Sequence, residues 1–177
     1  MLDIAQQTIA YYTKYKKIPQ ISDLKISDTT LLKRQAQIFV TIYYKWEIAG
    51  SSGNMKEIED SAAQEIITNT IGAISKDPRF SPITIDQVSD LKIRIDEITS
   101  REVLTDEKQL AKMDPVKHWV IAIKQDYSDL CVILPNISPL LMMGSDIGWA
   151  ISQKLWSDFN EKTLHIYKIE TNSINNI

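Results

Sequence analysis

Apolar residues recur at Leu2, Ala5, Ile9 and Tyr12, the spacing of one helical face, which predicts an amphipathic helix over residues 2 to about 16. Lys14, Lys16 and Lys17 fall in its last turn, where they complement the negative end of the helix dipole, and Pro19 follows as a stop. Residues 20–30 are polar and rich in Asp, Ser and Thr, as in a loop with short extended pieces. The run from Gln37 to Tyr44 is β-branched and aromatic, and predicts a strand. Gly50-Ser51-Ser52-Gly53 breaks that pattern. A second helix is then expected from near Asn54, carrying Ile58, Ala62, Ile66, Ile67, Ile71 and Ile74, and ending at Asp77-Pro78.

Further along, Leu91, Ile93 and Ile95 alternate with charged residues at the period of a half-buried strand. Trp119–Ile123 and Cys131–Leu134 form a candidate hairpin around a polar turn at residues 124–129. A third helix is expected over about 146–159, a closing strand over 164–169, and a frayed tail from Asn172 to Ile177. This order lacks a regular strand-helix-strand alternation. It therefore predicts an α+β fold, an antiparallel sheet with packed helices, in one domain spanning residues 1–177.

Composition narrows the functional classes. With 44% hydrophobic and 24% charged residues in 177, the chain has the make-up of a globular domain. A net charge of −3 argues against a general nucleic-acid binder, which needs a basic face. No apolar run approaches the roughly 18 residues of a membrane span. The amino end, with Asp3, Gln6 and Gln7, does not read as a signal peptide, and the single cysteine, Cys131, fits a reducing compartment. A cytoplasmic protein is expected, with Cys131 buried in its strand as a small hydrophobe.

Candidate chemistry gathers at two stretches. The first runs from Glu47 through Gly50, Ser51, Ser52 and Gly53. Its glycines permit a sharp turn or a close backbone approach, and a helix following it would aim free N–H groups at an anion. The same residues suit a plain tight connection better still, since short loops of this kind are frequent. A serine on a strand-to-helix turn also invites comparison with a hydrolase nucleophile elbow, for which Ser51 or Ser52 would need Glu47 or His118 within about 3.2 Å as acid-base partner.

The second stretch, Asp77-Pro78-Arg79-Phe80-Ser81-Pro82, offers a planar guanidinium to a carboxylate or phosphate, or simply a stiff helix exit with Arg79 paired to an acid and Phe80 packed inward. A straight helix between the two stretches would be about 20 residues, or roughly 30 Å, long. Arg79 is therefore expected to stay clear of the glycine loop and to be structural, leaving the helix N-terminus as the anion position. One cysteine and two histidines 47 positions apart give no zinc spacing, so neither metal nor cofactor is expected. Trp149 and Trp156 read as core or interface anchors, and Met142 and Met143 as core filling in preference to a flexible apolar patch.

The two stretches, in this order, resemble the AMMECR family, whose members typically carry Leu-Arg-Gly-Cys-Ile-Gly and then Asp-Pro-Arg-Phe-Pro-Pro. Here the first reads Ile48-Ala49-Gly50-Ser51-Ser52-Gly53 and the second Asp77-Pro78-Arg79-Phe80-Ser81-Pro82. Residues 91–95, 117–121, 133–136 and 164–168 are similar to later family segments, so the resemblance covers nearly the whole chain. It implies an antiparallel sheet with helices, a smaller adjoining subdomain, and a cleft between the parts lined by the glycine motif. Ala49, Ser51 and Ser52 replace the motif's arginine, cysteine and isoleucine, which removes a thiol nucleophile while keeping the spacing glycines. Family members occur beside or fused to Memo-type and radical S-adenosylmethionine proteins, which implies a partner of that kind and a modification or radical pathway.

The expectation is a binding or accessory module acting through a cleft formed by Gly50, Ser51, Ser52, Gly53 and Arg79 on a small anionic ligand. The alternative is a hydrolase or transferase using Ser51 or Ser52.

Overall fold

The computed structural model describes residues 1–105, 109, 112–114, 117–133, 147–155 and 163–177. Helices α1 (Leu2–Tyr15), α2 (Ala62–Ser75) and α3 (Ile147–Leu155) accompany six strands, β1 (Ile38–Tyr44), β2 (Glu47–Gly53), β3 (Leu91–Leu104), β4 (Trp119–Lys124), β5 (Leu130–Ile133) and β6 (Leu164–Asn175). The strands form one sheet in the order β2-β1-β3-β6-β4-β5. The pairings of β1 with β2 and β3, and of β4 with β5 and β6, are antiparallel. This is the expected α+β class. The chain divides into two compact units, Met1–Ile98 with Asn172–Ile177, and Thr99–Thr171.

In the first unit, Ile38, Val40 and Ile42 of β1 and Leu91, Ile93 and Ile95 of β3 share a core with α1 and α2. Period-2 alternation buries every second strand residue on one face, and the helices supply Ile4 and Ile9, and Ile66, Ile67, Ile71 and Ile74. Burying each such side chain contributes about 1.5–3 kcal/mol before chain entropy is counted. Helix α1 ends where Lys16 adopts a left-handed conformation, φ 55°, and donates its N–H to the Tyr12 carbonyl.

The start of α2 differs from expectation. The helix begins at Ala62 and not near Asn54, because Ser61, in an extended conformation, caps it by accepting from the Gln64 N–H at 3.2 Å. Ile58, placed on the helical stripe by spacing alone, lies in the preceding loop and is 62% exposed.

A second difference concerns residues 47–53, expected as a loop leading into that helix. They form strand β2, the return arm of a hairpin whose turn is Lys45–Trp46, with φ 52° and 71°. Two successive positive φ values give the strand-matching twist that Asn-Gly usually supplies. Non-glycine residues hold that turn here, so no glycine marks it in the sequence. Ala49 is an extra residue in β2, where the register shifts between the pairs Ile42–Gly50 and Tyr43–Ile48.

In the second unit, β4 and β5 form the expected hairpin and pack Val120, Ala122, Cys131 and Ile133 against Ile147, Ala150, Ile151 and Leu155 of α3. Trp149, expected in the core or at an interface, is 46% exposed and so does not serve the core. Trp156, Met142 and Met143 lie outside the described residues. Residues 20–30 hold two short 3-10 turns, Ile21–Asp23 and Thr29–Leu32, in place of extended pieces. The tail is not frayed as expected. Strand β6 continues to Asn175, and Asn176 exchanges hydrogen bonds with Ile93, accepting from its N–H through Oδ1 and donating its own N–H to its carbonyl.

Candidate functional site

Helix α2 crosses β2 with almost no space between the backbones. A Cβ at Gly50 would overlap the Ala73 carbonyl oxygen, and one at Gly72 would overlap the Ser52 hydroxyl. Glycine is therefore needed at these positions for close approach. The contact is made by the carboxyl-terminal half of α2. The helix N-terminus expected to bind an anion at Gly50–Gly53 is thus not the end that meets this stretch, and that position for the anion is overturned. Gly53 has a separate packing role, since a Cβ there would run into the Phe39 ring.

The end of α2 brings the two sequence stretches together. Asp77 accepts from the Ser51 N–H at 2.9 Å through Oδ2 and from the Arg79 N–H at 3.1 Å through Oδ1. Its carboxylate also takes a forked contact from Arg79, Nε to Oδ1 at 2.9 Å and Nη2 to Oδ2 at 2.7 Å. Arg79 Nη2 donates further to Ser51 Oγ at 2.6 Å. The expectation that Arg79 could not reach the glycine motif fails for a geometric reason. Residues 50–53 do not open the helix but run back along it as a strand, so its far end lies beside them.

The Arg79 guanidinium, followed by the backbone N–H groups, holds the Asp77 carboxyl down at about 2 against burial that opposes ionisation. Arg79 is raised above its ordinary value by the same hydrogen bonds. The Asp77 side chain is 3% exposed and that of Arg79 is 59% exposed, so the acid is an internal anchor and the guanidinium is presented to solvent. Phe80 lies under it, 5.2 Å from ring centroid to guanidinium carbon.

Beside this cluster is a cavity of about 330 Å³. Ser51, Ser52 and Asn54 form one wall, and Thr68, Asn69, Gly72 and Lys76 of α2 the other, closed by the turn Asp77-Pro78-Arg79. All of these belong to the first unit, so the cleft that holds the glycine motif is built within that unit.

Below it runs a buried polar chain. Ser52 Oγ donates to Asn69 Oδ1 at 3.1 Å. Asn69 Nδ2 donates to the Ile38 carbonyl and to Glu65 Oε1, which also accepts from Asn54 Nδ2 at 2.7 Å. Glu65, 1% exposed, further accepts from the Glu59 N–H. Nothing in the hydrophobic periodicity singled out Glu65, Asn69 or Asn54. The one available signal was a polar pair four residues apart, Glu65 and Asn69, amid the helix's apolar positions.

The remaining sequence candidates fall elsewhere. Glu47 begins β2 opposite Tyr44, four residues from Ser51, which in a strand is about 13 Å. His118 belongs to the second unit, where Nδ1 accepts from the Asp114 N–H at 3.2 Å and Nε2 lies 3.7 Å from Glu170. Cys131 is 5% exposed, and burial pushes its thiol up to about 11, as a packed and unreactive side chain requires. Among the described residues no three His, Cys, Asp or Glu side chains gather as a metal site would need, and no helix is long and apolar enough to cross a membrane.

The sequence that carries the glycine and Asp-Pro-Arg-Phe stretches matches a known group of proteins. The chain belongs to the AMMECR1 family, whose sequence profile matches residues 2–146. It is 31% identical over 121 residues to a protein of Thermotoga maritima, a match covering 68% of this chain and 67% of that one. It is 30% identical over 135 residues to a protein of Clostridium acetobutylicum, covering 76% of this chain but only 27% of the longer relative. Its fold is similar to the crystal structure of an uncharacterised protein of Pyrococcus horikoshii, with a TM-score of 0.80 at 20% identity over 97% of this chain and 87% of the other.

Proposed function

We propose that this protein is a binding module that takes a small anionic ligand in the β2–α2 cavity, with Arg79 and Lys76 as the groups that meet the anion. The observation that carries this reading is the placement of Arg79. Its Nε and Nη2 are fixed on Asp77 and Ser51, which leaves Nη1 and the exposed face of a pre-oriented fork at the cavity mouth. Asp77 is already satisfied by four hydrogen bonds, so it neutralises one charge without competing for the ligand. Lys76, at the end of α2, adds a second cation to the lining. A cavity of about 330 Å³ lies at the lower end of the size range of small-molecule sites.

The serine-based alternative is less well supported by the same geometry. Ser51 Oγ accepts from a guanidinium, which has no basic site to offer in return. Ser52 Oγ donates to an amide oxygen, which is no general base at neutral pH. Glu47, at the other end of the same strand, lies too far along it to supply what these hydroxyls lack.

The binding reading is tested by thermal unfolding in increasing phosphate. A ligand that binds only the folded state stabilises it by RT ln(1 + L/Kd), where L is the free ligand concentration, so Tm climbs with ligand concentration. The wild-type chain should gain stability with phosphate at constant ionic strength, and the variants Arg79→Ala and Lys76→Ala should each lose most of that gain. An equal phosphate response in all three proteins would overturn the assignment.

A further inference from the structure

The hydrogen bonds around the cavity have directions that chemistry fixes without ambiguity, and together they describe the ligand. Thr68 Oγ1 bonds Glu59 Oε1 at 2.8 Å, and a carboxylate only accepts, so Thr68 donates. Asn54 bonds Glu65 in the same sense, through Nδ2. Asn69 spends Nδ2 on the Ile38 carbonyl and Glu65, so its Oδ1 faces Ser52 and the Ser52 hydroxyl must donate. What remains unspent at this end of the cavity is mainly acceptor capacity, Asn54 Oδ1 and the lone pairs of Thr68 and Ser52, beside the second N–H of Asn54 Nδ2. At the other end the balance is reversed. Arg79 donates to Ser51 Oγ, which leaves the Ser51 proton available, together with Arg79 Nη1 and the Lys76 ammonium.

The lining therefore offers donors and positive charge at one end and mostly acceptors at the other. Lys76, which caps α2, follows Thr68 by eight residue steps, about 12 Å at helical rise. Among the described lining residues none is aromatic, so a nucleobase has no ring to stack on and a polar chain is the better fit. An extended chain of three amino-acid residues spans about 10 Å. We infer, resting on the binding role proposed above, that the cavity takes the carboxyl-terminal end of an extended peptide. The terminal carboxylate lies at Arg79 and Lys76, and backbone or amino N–H groups are accepted at Asn54, Thr68 and Ser52.

The test compares four probes on the intact chain by calorimetry: phosphate, glycine, triglycine and triglycine amide. Triglycine should bind about tenfold more tightly than triglycine amide, which lacks the charged terminus, and more tightly than glycine, which cannot span the cavity. Thr68→Val, which keeps the shape of the side chain, should weaken triglycine severalfold and leave phosphate unchanged. If phosphate binds but triglycine is no tighter than its amide or than glycine, the peptide assignment fails while the anion site stands. If neither phosphate nor triglycine binds, both fail.

Discussion

Gly50 and Asp77 are the residues on which the site's geometry rests. Any side chain at Gly50 must displace the Ala73 carbonyl, which is backbone inside a helix and cannot swing aside. Gly50→Ala should therefore cost about 1–3 kcal/mol in urea unfolding, the ordinary penalty of overpacking, and should separate Ser51 from Asp77. An unchanged midpoint would contradict the close approach of α2 to β2. Asp77 makes a pH-dependent contribution whose sign follows from its depressed carboxyl. Folding holds it at about 2 against an ordinary 3.8, so the ionised acid stabilises the native state above about pH 4, and that stabilisation disappears as pH falls through 2. Screened by the exposure of its partner Arg79, the contribution is about 1–2 kcal/mol. Asp77→Asn should thus be less stable than wild type by that amount at pH 7, and the two stability curves should converge towards pH 2.5. A gap that persists unchanged at low pH would assign the loss to something other than the carboxylate's charge.

At the scale of elements, the hairpin β4–β5 makes its own prediction. Cys131 faces the core of its unit with a raised thiol, so native protein should react with a thiol reagent no faster than it unfolds, and urea should accelerate labelling steeply. Fast labelling in native buffer would place the cysteine at the surface. This element, like α1, β1 and the first half of β3, was legible in the sequence, because apolar period and β-branched composition point the same way in each. β2 was not legible. Its Gly-Ser-Ser-Gly composition is that of a turn, while the true turn is made by Lys45 and Trp46, whose side chains give no such signal. The start of α2 was misplaced for a related reason. Ile58 happens to continue the helical stripe, and the decisive residue is the cap Ser61, which periodicity does not register. Both errors bear directly on the site. Reading β2 as a loop put the glycines at the beginning of α2 and Arg79 about 30 Å away. In the folded chain they meet at its end.

For the whole molecule, the two units carry different parts of what the sequence proposed. The glycine motif, the Asp-Pro-Arg-Phe turn and the cavity all lie in the unit formed by Met1–Ile98 and Asn172–Ile177, while His118 and Cys131 lie in Thr99–Thr171. Membership of the AMMECR1 family agrees with the resemblance that the two motifs carried. Ser51 accepts from Arg79 and so helps to orient its guanidinium. The claim that this cavity receives an anion is tested most directly by following backbone amide NMR shifts during a phosphate titration. The account predicts saturating shifts concentrated at Ser51, Ser52, Lys76 and Arg79, with little change at Asn54 or at Ala62 to Gln64, where α2 begins. Shifts confined to the start of α2, or none at these positions at tens of millimolar phosphate, would contradict it.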